Sequence, residues 1–76
     1  MKITYDQETD SLYIRLIDGS HECRTLRLSE EIALNIGADE VLVGIEILDA
    51  KDVLGSGQLP QIFLENIPFQ IVSTAA

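Results

Sequence analysis

The chain has 76 residues, 13 of them acidic and 5 basic, so its formal net charge is −8. A chain of this length forms one domain, and its negative charge disfavours direct binding to nucleic acid or to anionic membranes. Its hydrophobic share of 46% is typical of a folded protein. No segment approaches the roughly 20 apolar residues of a membrane helix. Its single cysteine excludes a disulfide within the chain.

The first 28 residues predict three short strands, because apolar and polar side chains alternate with a period of two. Residues 3–5 form the first strand, 6–10 a polar turn and 11–16 the second strand. Asp18-Gly19 between two alternating runs is a hairpin signal. We therefore expect residues 21–28, the most polar of the strands, to return beside the second strand.

Two further strands follow the same alternation, over residues 32–36 and 41–48. The last of these is apolar on one face and partly apolar on the other, which is typical of a central strand. Gly44 inside it predicts a bulge or a close approach to the backbone. The predicted fold class is mainly β: an antiparallel meander of about five strands joined by short connections.

The pattern changes after the fifth strand. Asp49 can cap a helical turn over 50–54, and Gly55 can supply a left-handed stop. Residues 1–54 therefore make the meander and one short helix, and residues 55–76 an apolar tail. Its stretch from 59 to 72 reads either as short extended pieces, which its β-branched and aromatic content favours, or as a helix, which would make the fold α+β.

Three sequence blocks together carry a resemblance to a known family. In their order and spacing they resemble the small bacterial family called domain of unknown function 2283. The resemblance implies a compact β-rich domain with no established catalytic or binding residues. It also implies similarity to small proteins encoded beside short, basic, toxin-like partners, and hence an antitoxin-like role. The blocks are Tyr5-Asp6-x-Glu8-x-Asp10, Leu12-Tyr13-Ile14-x-Leu16 and Gly44-Ile45-Glu46-Ile47-Leu48-Asp49-Ala50.

Two groups of residues imitate metal sites without completing them. The acidic turn at 6–10 resembles the start of a calcium loop, but Ser11 stands at its glycine position and Ile17 at its glutamate position. His21 and Cys23, two apart on a predicted strand, share a face and could form half of a zinc site completed by a symmetry mate. We expect no bound metal or cofactor, and a His21/Cys23 ligand site remains the alternative.

The candidate catalytic arrangements in the sequence are also incomplete. No third group is recognisable that would orient the imidazole of a Cys23–His21 nucleophile. Glu46 and Asp49 could pair as acid and base only across a cleft, for which a domain this small has little room. Glu46 is better explained as the cross-sheet partner of Arg15 or Arg24. The sequence therefore predicts that the chain is not an enzyme. The alternative that remains is a minimal enzyme of unknown class.

The leading prediction is a non-catalytic protein-interaction module. We expect it in the cytoplasm, because one unpaired cysteine and an N-terminal segment without the apolar stretch of a signal peptide fit that compartment. Its small core and apolar tail predict a homodimer or larger oligomer, and its charge is compatible with a basic protein partner or simply keeps it soluble. The oligomer-interface candidates are Ile62, Phe63, Leu64, Ile67, Phe69 and Ile71. The partner-binding candidates are Asp6, Glu8, Asp10, Asp39 and Glu40.

Overall fold

Five antiparallel strands form one sheet in the computed structural model, which describes residues 1–74. The predicted mainly β fold is therefore confirmed. The last two positions of the predicted tail, 75 and 76, lie outside the described residues. The elements in chain order are β1 (Lys2–Asp6), β2 (Ser11–Arg15), β3 (Arg24–Arg27), β4 (Ile32–Ile36), a 3₁₀ turn (Ala38–Glu40), β5 (Leu42–Ile47) and helix α1 (Ala50–Leu54).

The order of the strands across the sheet is β1-β2-β5-β4-β3, which differs from that of a simple meander. The predicted hairpin at Asp18-Gly19 is wrong, because β3 pairs with β4 and not with β2. Gly19 does adopt a left-handed turn conformation, with φ of 92°. However, the Leu16 N–H donates to the Val43 carbonyl (2.8 Å), so β5 occupies the place beside β2. The most apolar strand thus takes the centre, as predicted, and the most polar strand takes an edge.

Alternation along the strands gives the sheet one apolar face. The register aligns one side chain from each strand into a row that crosses this face. This first row is Ile3, Ile14, Ile45, Leu34 and Leu26. A second row lies nearer the C-terminal ends of β1 and β5 and is formed by Tyr5, Leu12, Ile47 and Ile32.

The opposite face is polar and is organised around Gly44. The Tyr13 ring lies against this glycine so closely that a Cβ atom there would overlap the Tyr13 hydroxyl. Asn35 on the next strand donates from Nδ2 to that hydroxyl (3.0 Å). The predicted close approach at Gly44 is confirmed, and the ring of Tyr13 makes it. The predicted bulge is present as well: Asn35 pairs with Gly44 but Ile36 pairs with Leu42, so β5 has one extra residue, Val43, directly beside Gly44.

Helix α1 has the predicted bounds, but its two ends differ from the prediction. Asp49 precedes it in a left-handed conformation (φ 53°) and makes no capping bond with its side chain. Asp10 does so instead, since both of its carboxylate oxygens lie 3.3 Å from the Lys51 N–H. Gly55 is extended rather than left-handed (φ −150°). A glycine is needed there because a Cβ atom would overlap the Gln58 carbonyl.

The C-terminal segment, which we define as residues 59–72, is neither strand nor helix. Both predicted conformations are therefore wrong for this segment. Pro60 and Pro68 each remove a backbone donor, and within residues 1–74 no backbone hydrogen bond joins the segment to the sheet. Its path over the molecule is therefore determined by apolar contact.

Candidate interaction surface

The C-terminal segment lies over one half of the apolar face but does not close on it, since Ile3 of β1 remains 46% exposed. It borders a groove of about 550 Å³ whose strand-side lining includes Met1, Ile3 and Leu16. A second groove of about 340 Å³ lies between the segment, helix α1 and the β1–β2 hairpin. Of the six predicted oligomer-interface residues, five line these grooves and Phe63 does not. The segment thus lies along β1 and β2.

The other half of the apolar face, over β3 and β4, is not contacted by this segment along the two grooves. Neither groove is lined by a residue of these two strands. Leu26 is 41% exposed and Leu28, just after β3, is 59% exposed. Ile32, Leu34 and Ile36 of β4 are only half-buried. An apolar surface of this kind, continuous across two strands, marks an interaction site.

The outer side of the C-terminal segment is apolar and exposed as well. Phe63 and Val72 are 75% and 76% exposed, and all six predicted oligomer-interface residues have exposed side chains. The segment therefore has apolar groups on two sides, of which its own sheet contacts one.

The total surface of the chain is larger than that of a closed monomer. The chain exposes 6178 Å², whereas a compact monomer of its mass would expose about 4,600 Å². The radius of gyration of 13.5 Å likewise exceeds the ~11.4 Å expected for a compact domain of this length. In residues 1–74 the buried apolar side chains are Ala33, Val43, Ile47 and Ala50, and no large side chain is fully buried. An excess of roughly 1,600 Å² thus remains uncovered.

Acidic side chains gather at one end of the sheet. The Ala50 N–H donates to the Asp10 carbonyl (3.0 Å) and the Leu48 N–H to the Glu31 carbonyl (2.7 Å), so three loops meet there. The neighbouring Asp52 raises the pKa of the Asp49 carboxyl above its usual range, and desolvation, Asp10 and Glu31 raise it further. Glu31 and Asp52 were not among the sequence candidates. Only tertiary backbone bonds bring them to this acidic end.

The predicted partner-binding residues do not form one patch. Asp6, Glu8 and Asp10 lie at the acidic end, whereas Asp39 and Glu40 precede β5 and lie at the opposite end of the sheet. Asp6 accepts from the Glu8 N–H (2.9 Å), which is the side-chain turn expected of the first loop. Glu40 forms an ion pair with Arg24.

Asp10 has a structural role that connects two of the sequence blocks. Besides the Lys51 N–H, its carboxylate accepts a hydrogen bond from the Tyr5 hydroxyl (2.7 Å). This bond raises the pKa of Tyr5 above its usual range, with smaller contributions from desolvation and from the charges of Asp10 and Asp6. Asp10 thereby fastens the first turn to helix α1.

Replacing Tyr5 by Phe should make stability less dependent on alkaline pH. A raised pKa in the folded chain means that the Tyr5 contribution is fully present below the ordinary tyrosine value near 10 and is lost as pH rises through the folded value. Tyr5→Phe should therefore unfold more easily at neutral pH but lose less stability above about pH 10. Urea denaturation of both proteins at a series of pH values measures this difference.

Tyrosinate absorbance in a Tyr13→Phe background isolates Tyr5, because the chain has two tyrosines. In that background Asp10→Asn should bring the Tyr5 titration back towards its ordinary range, since a neutral amide oxygen is a weaker hydrogen-bond acceptor for the Tyr5 hydroxyl and the neighbouring negative charge is gone. An unchanged titration in Asp10→Asn would contradict the assigned bond.

The metal-site candidates lie outside the strands. His21 and Cys23 precede β3, so the predicted placement of both on one face of a strand is wrong. His21 Nε2 is 2.7 Å from the Asp18 carbonyl, and the Cys23 thiol contacts the His21 carbonyl at 3.6 Å. Within residues 1–74 no group of three or more histidine, cysteine or acidic side chains is arranged to hold a metal ion. In the same range no helix has the length and hydropathy to span a membrane.

Glu46 has a different ion-pair partner from the two that were predicted. Its Oε1 lies 3.8 Å from Arg27 Nη2. Arg15 instead donates to the Ile17 carbonyl (3.1 Å). The register places Ala33 directly between Glu46 and Arg27, so the pair crosses this small buried residue. The carboxylate is therefore part of the polar face of the sheet.

Comparison with known proteins places this arrangement in a family. A family model described as "Protein of unknown function (DUF2283)" matches residues 2–51, which include all five strands and the three sequence blocks. No curated protein and no solved structure matches the chain. The match covers well over half of the chain, which therefore belongs to the DUF2283 family of proteins of unknown function.

Proposed function

We propose that the chain is a non-catalytic protein-interaction module whose apolar sheet face binds a second copy of itself. The observation that carries the proposal is the excess of roughly 1,600 Å² over the surface of a compact monomer. Two copies that each covered this excess would bury roughly 3,200 Å² in total, which lies within the range of about 2,000–5,000 Å² typical of obligate homodimers.

The distribution of charge supports a second copy as the occupant. The net charge of −8 would oppose self-association if it lay on the binding face. The strand positions of the apolar face contain no acidic residue, and their one charged member is Arg24. Apart from Glu65 in the C-terminal segment, the acidic side chains lie at the two ends of the sheet and on its polar face. Two apolar faces can therefore meet while these acidic groups stay in water.

Sedimentation equilibrium of the purified chain should give twice the chain mass of 8.4 kDa at micromolar concentration. Leu26→Asp introduces a charge on the apolar face and should shift the protein to monomer. Thr25→Asp is the matched control, because the adjacent residue is also exposed but belongs to the polar face. A folded wild-type monomer under these conditions, or equal behaviour of the two variants, would contradict the proposal.

The acidic end supports a second candidate function, the binding of a basic protein partner in an antitoxin-like role. The structure gathers Glu31, Asp49 and Asp52 beside the first turn, and this field favours encounter with a positively charged surface. The antitoxin-like role itself is supported only by the family resemblance. The alternative that the charge simply keeps the chain soluble predicts no such partner.

Association of a co-purified basic protein should slow when Glu8 and Asp52 are changed to Lys, and the effect should shrink as salt is added. We choose these two residues because the side chains of Asp6 and Asp10 are engaged within the fold. Asp39→Lys, at the opposite end of the sheet, is the control. Equal association rates in all variants would leave solubility as the role of the charge. The His21/Cys23 ligand site and the minimal enzyme stay sequence predictions.

A further inference from the structure

The two halves of the apolar face differ in a way that specifies how two copies fit. The C-terminal segment lies over the β1–β2 half, whereas the β3–β4 half borders neither groove and exposes Leu26 and Leu28. Building on the self-association proposed above, we infer that each C-terminal segment lies between the β1–β2 half of its own sheet and the β3–β4 half of the partner's sheet. Each copy then supplies the cover that the other lacks.

Symmetry makes this arrangement reciprocal. A two-fold axis parallel to the strands, running between two facing sheets, places the β1–β2 half of one sheet over the β3–β4 half of the other. The strand order is suited to such an axis, because β5 is the middle strand with two strands on either side. An axis between the sheets that ran perpendicular to the strands would instead stack the two C-terminal segments on each other. Both β3–β4 halves would then lack a segment over them.

The C-terminal segment has the properties of a layer with contacts on two sides. Ile62 lines the groove against its own sheet, while the adjacent Phe63 lines neither groove and is 75% exposed. The segment also has no backbone bond to the sheet within the described residues. Apolar cover from a second sheet would bury the outward side chains and fix the path of the segment.

Rotation about an axis parallel to the strands keeps each residue at its level along the strand direction. Ile62 shares its groove with both rows of β1 and β2 and with Leu54 of helix α1. Helix α1 is bonded to Asp10 at the Tyr5 end of the strands, and this level corresponds across the sheet to Ile47 and Ile32. Leu28 is at the same level, since its N–H donates to the Ile32 carbonyl (2.8 Å). Phe63 should therefore meet Leu28 of the partner subunit.

Val72 marks the other end of the segment. It lines the larger groove with Met1 and Leu16, at the opposite end of the strands from Leu28. Because Val72 is as exposed as Phe63, with 76% against 75%, it is a matched control for accessibility. The arrangement keeps Val72 away from Leu28 of the partner subunit.

Disulfide cross-linking of full-length chains tests this arrangement. In a Cys23→Ser background, chains with Phe63→Cys are mixed with chains with Leu28→Cys and oxidised. We expect a cross-linked heterodimer to form at least about tenfold faster than with the Val72→Cys and Leu28→Cys pair, or with Phe63→Cys and Thr25→Cys on the polar face. Comparable rates for all three pairs would overturn the inference.

Sedimentation separates the failure of this inference from the failure of the proposed function. If the Cys23→Ser chain is dimeric but the Phe63 and Leu28 pair shows no preference, self-association stands and the placement of the segment is wrong. If that chain is a folded monomer, both are wrong. If the variants remain dimeric and the expected pair dominates, the segment lies between the two sheets.

Discussion

Replacing Ile47 by Ala should lower the free energy of unfolding by about 2–4 kcal/mol, the usual cost of removing a large buried aliphatic side chain. Ile47 is 7% exposed and lies in the central strand, in register with Leu12 on one side and Ile32 on the other. The whole chain is expected to have only about 4–11 kcal/mol of stability. The substitution should therefore leave a large fraction of the molecules unfolded in mild urea.

Urea denaturation at one fixed chain concentration measures this loss. Val41→Ala is the matched control, since Val41 precedes the same strand and is 43% exposed. It should cost less than about 1 kcal/mol, because over two-fifths of its surface remains in water in the folded chain. A loss at Ile47 no larger than that at Val41 would contradict the placement of the core under β5.

Adding one methyl group at Gly44 should destabilise the chain by about 1–3 kcal/mol, the typical cost of overpacking. The new Cβ atom would overlap the Tyr13 hydroxyl, which also accepts the hydrogen bond from Asn35. Tyr13 must then rotate away, so Gly44→Ala should lose both the ring packing and this bond. The urea midpoint of the variant measures the loss.

The sign of the effect should reverse when the ring is absent. A Tyr13→Ala background removes the three atoms nearest to the new Cβ, and alanine is favoured over glycine in a strand by roughly 0.5–1 kcal/mol. Gly44→Ala should therefore stabilise that background slightly, giving a large coupling energy between the two positions. An equal loss in both backgrounds would show that the strain arises from the backbone and not from Tyr13.

Within residues 1–54 the sequence predicted which segments form strands, because alternation over short runs reports directly on a half-buried sheet. It did not predict the strand order. Asp18-Gly19 is a local signal, and Gly19 does adopt a left-handed conformation, but which strand lies beside β2 depends on burial across the whole sheet. The apolar β5 competes better for that central place than the polar β3.

The candidate interaction surface could be predicted from the sequence only in part. The apolar residues of the C-terminal segment stood out by composition, but their position along β1 and β2 did not, since no periodic pattern fixes a segment without hydrogen bonds. The acidic end was missed for a related reason. Asp10 and Asp49 are far apart in the chain and meet only because backbone bonds join their loops.

The three sequence blocks of this chain have a structural explanation in the sheet. Tyr5 and Asp10 of the first block hold helix α1, which begins at Ala50 of the third block. Tyr13 of the second block covers Gly44 of the third. These pairings connect segments that are distant in sequence, so the blocks specify how the sheet closes without requiring a catalytic role.

The central position of β5 also has a consequence for the order in which the protein folds. The hairpins β1–β2 and β3–β4 precede it in the chain and are not hydrogen-bonded to each other as strands. During synthesis each hairpin can form alone, but an isolated two-stranded hairpin is marginally stable in water. The sheet can therefore close only after residues 42–47 have been made and have entered between the hairpins. Until that step the nascent chain has two open strand edges, β2 and β4, where pairing with another chain would compete with folding.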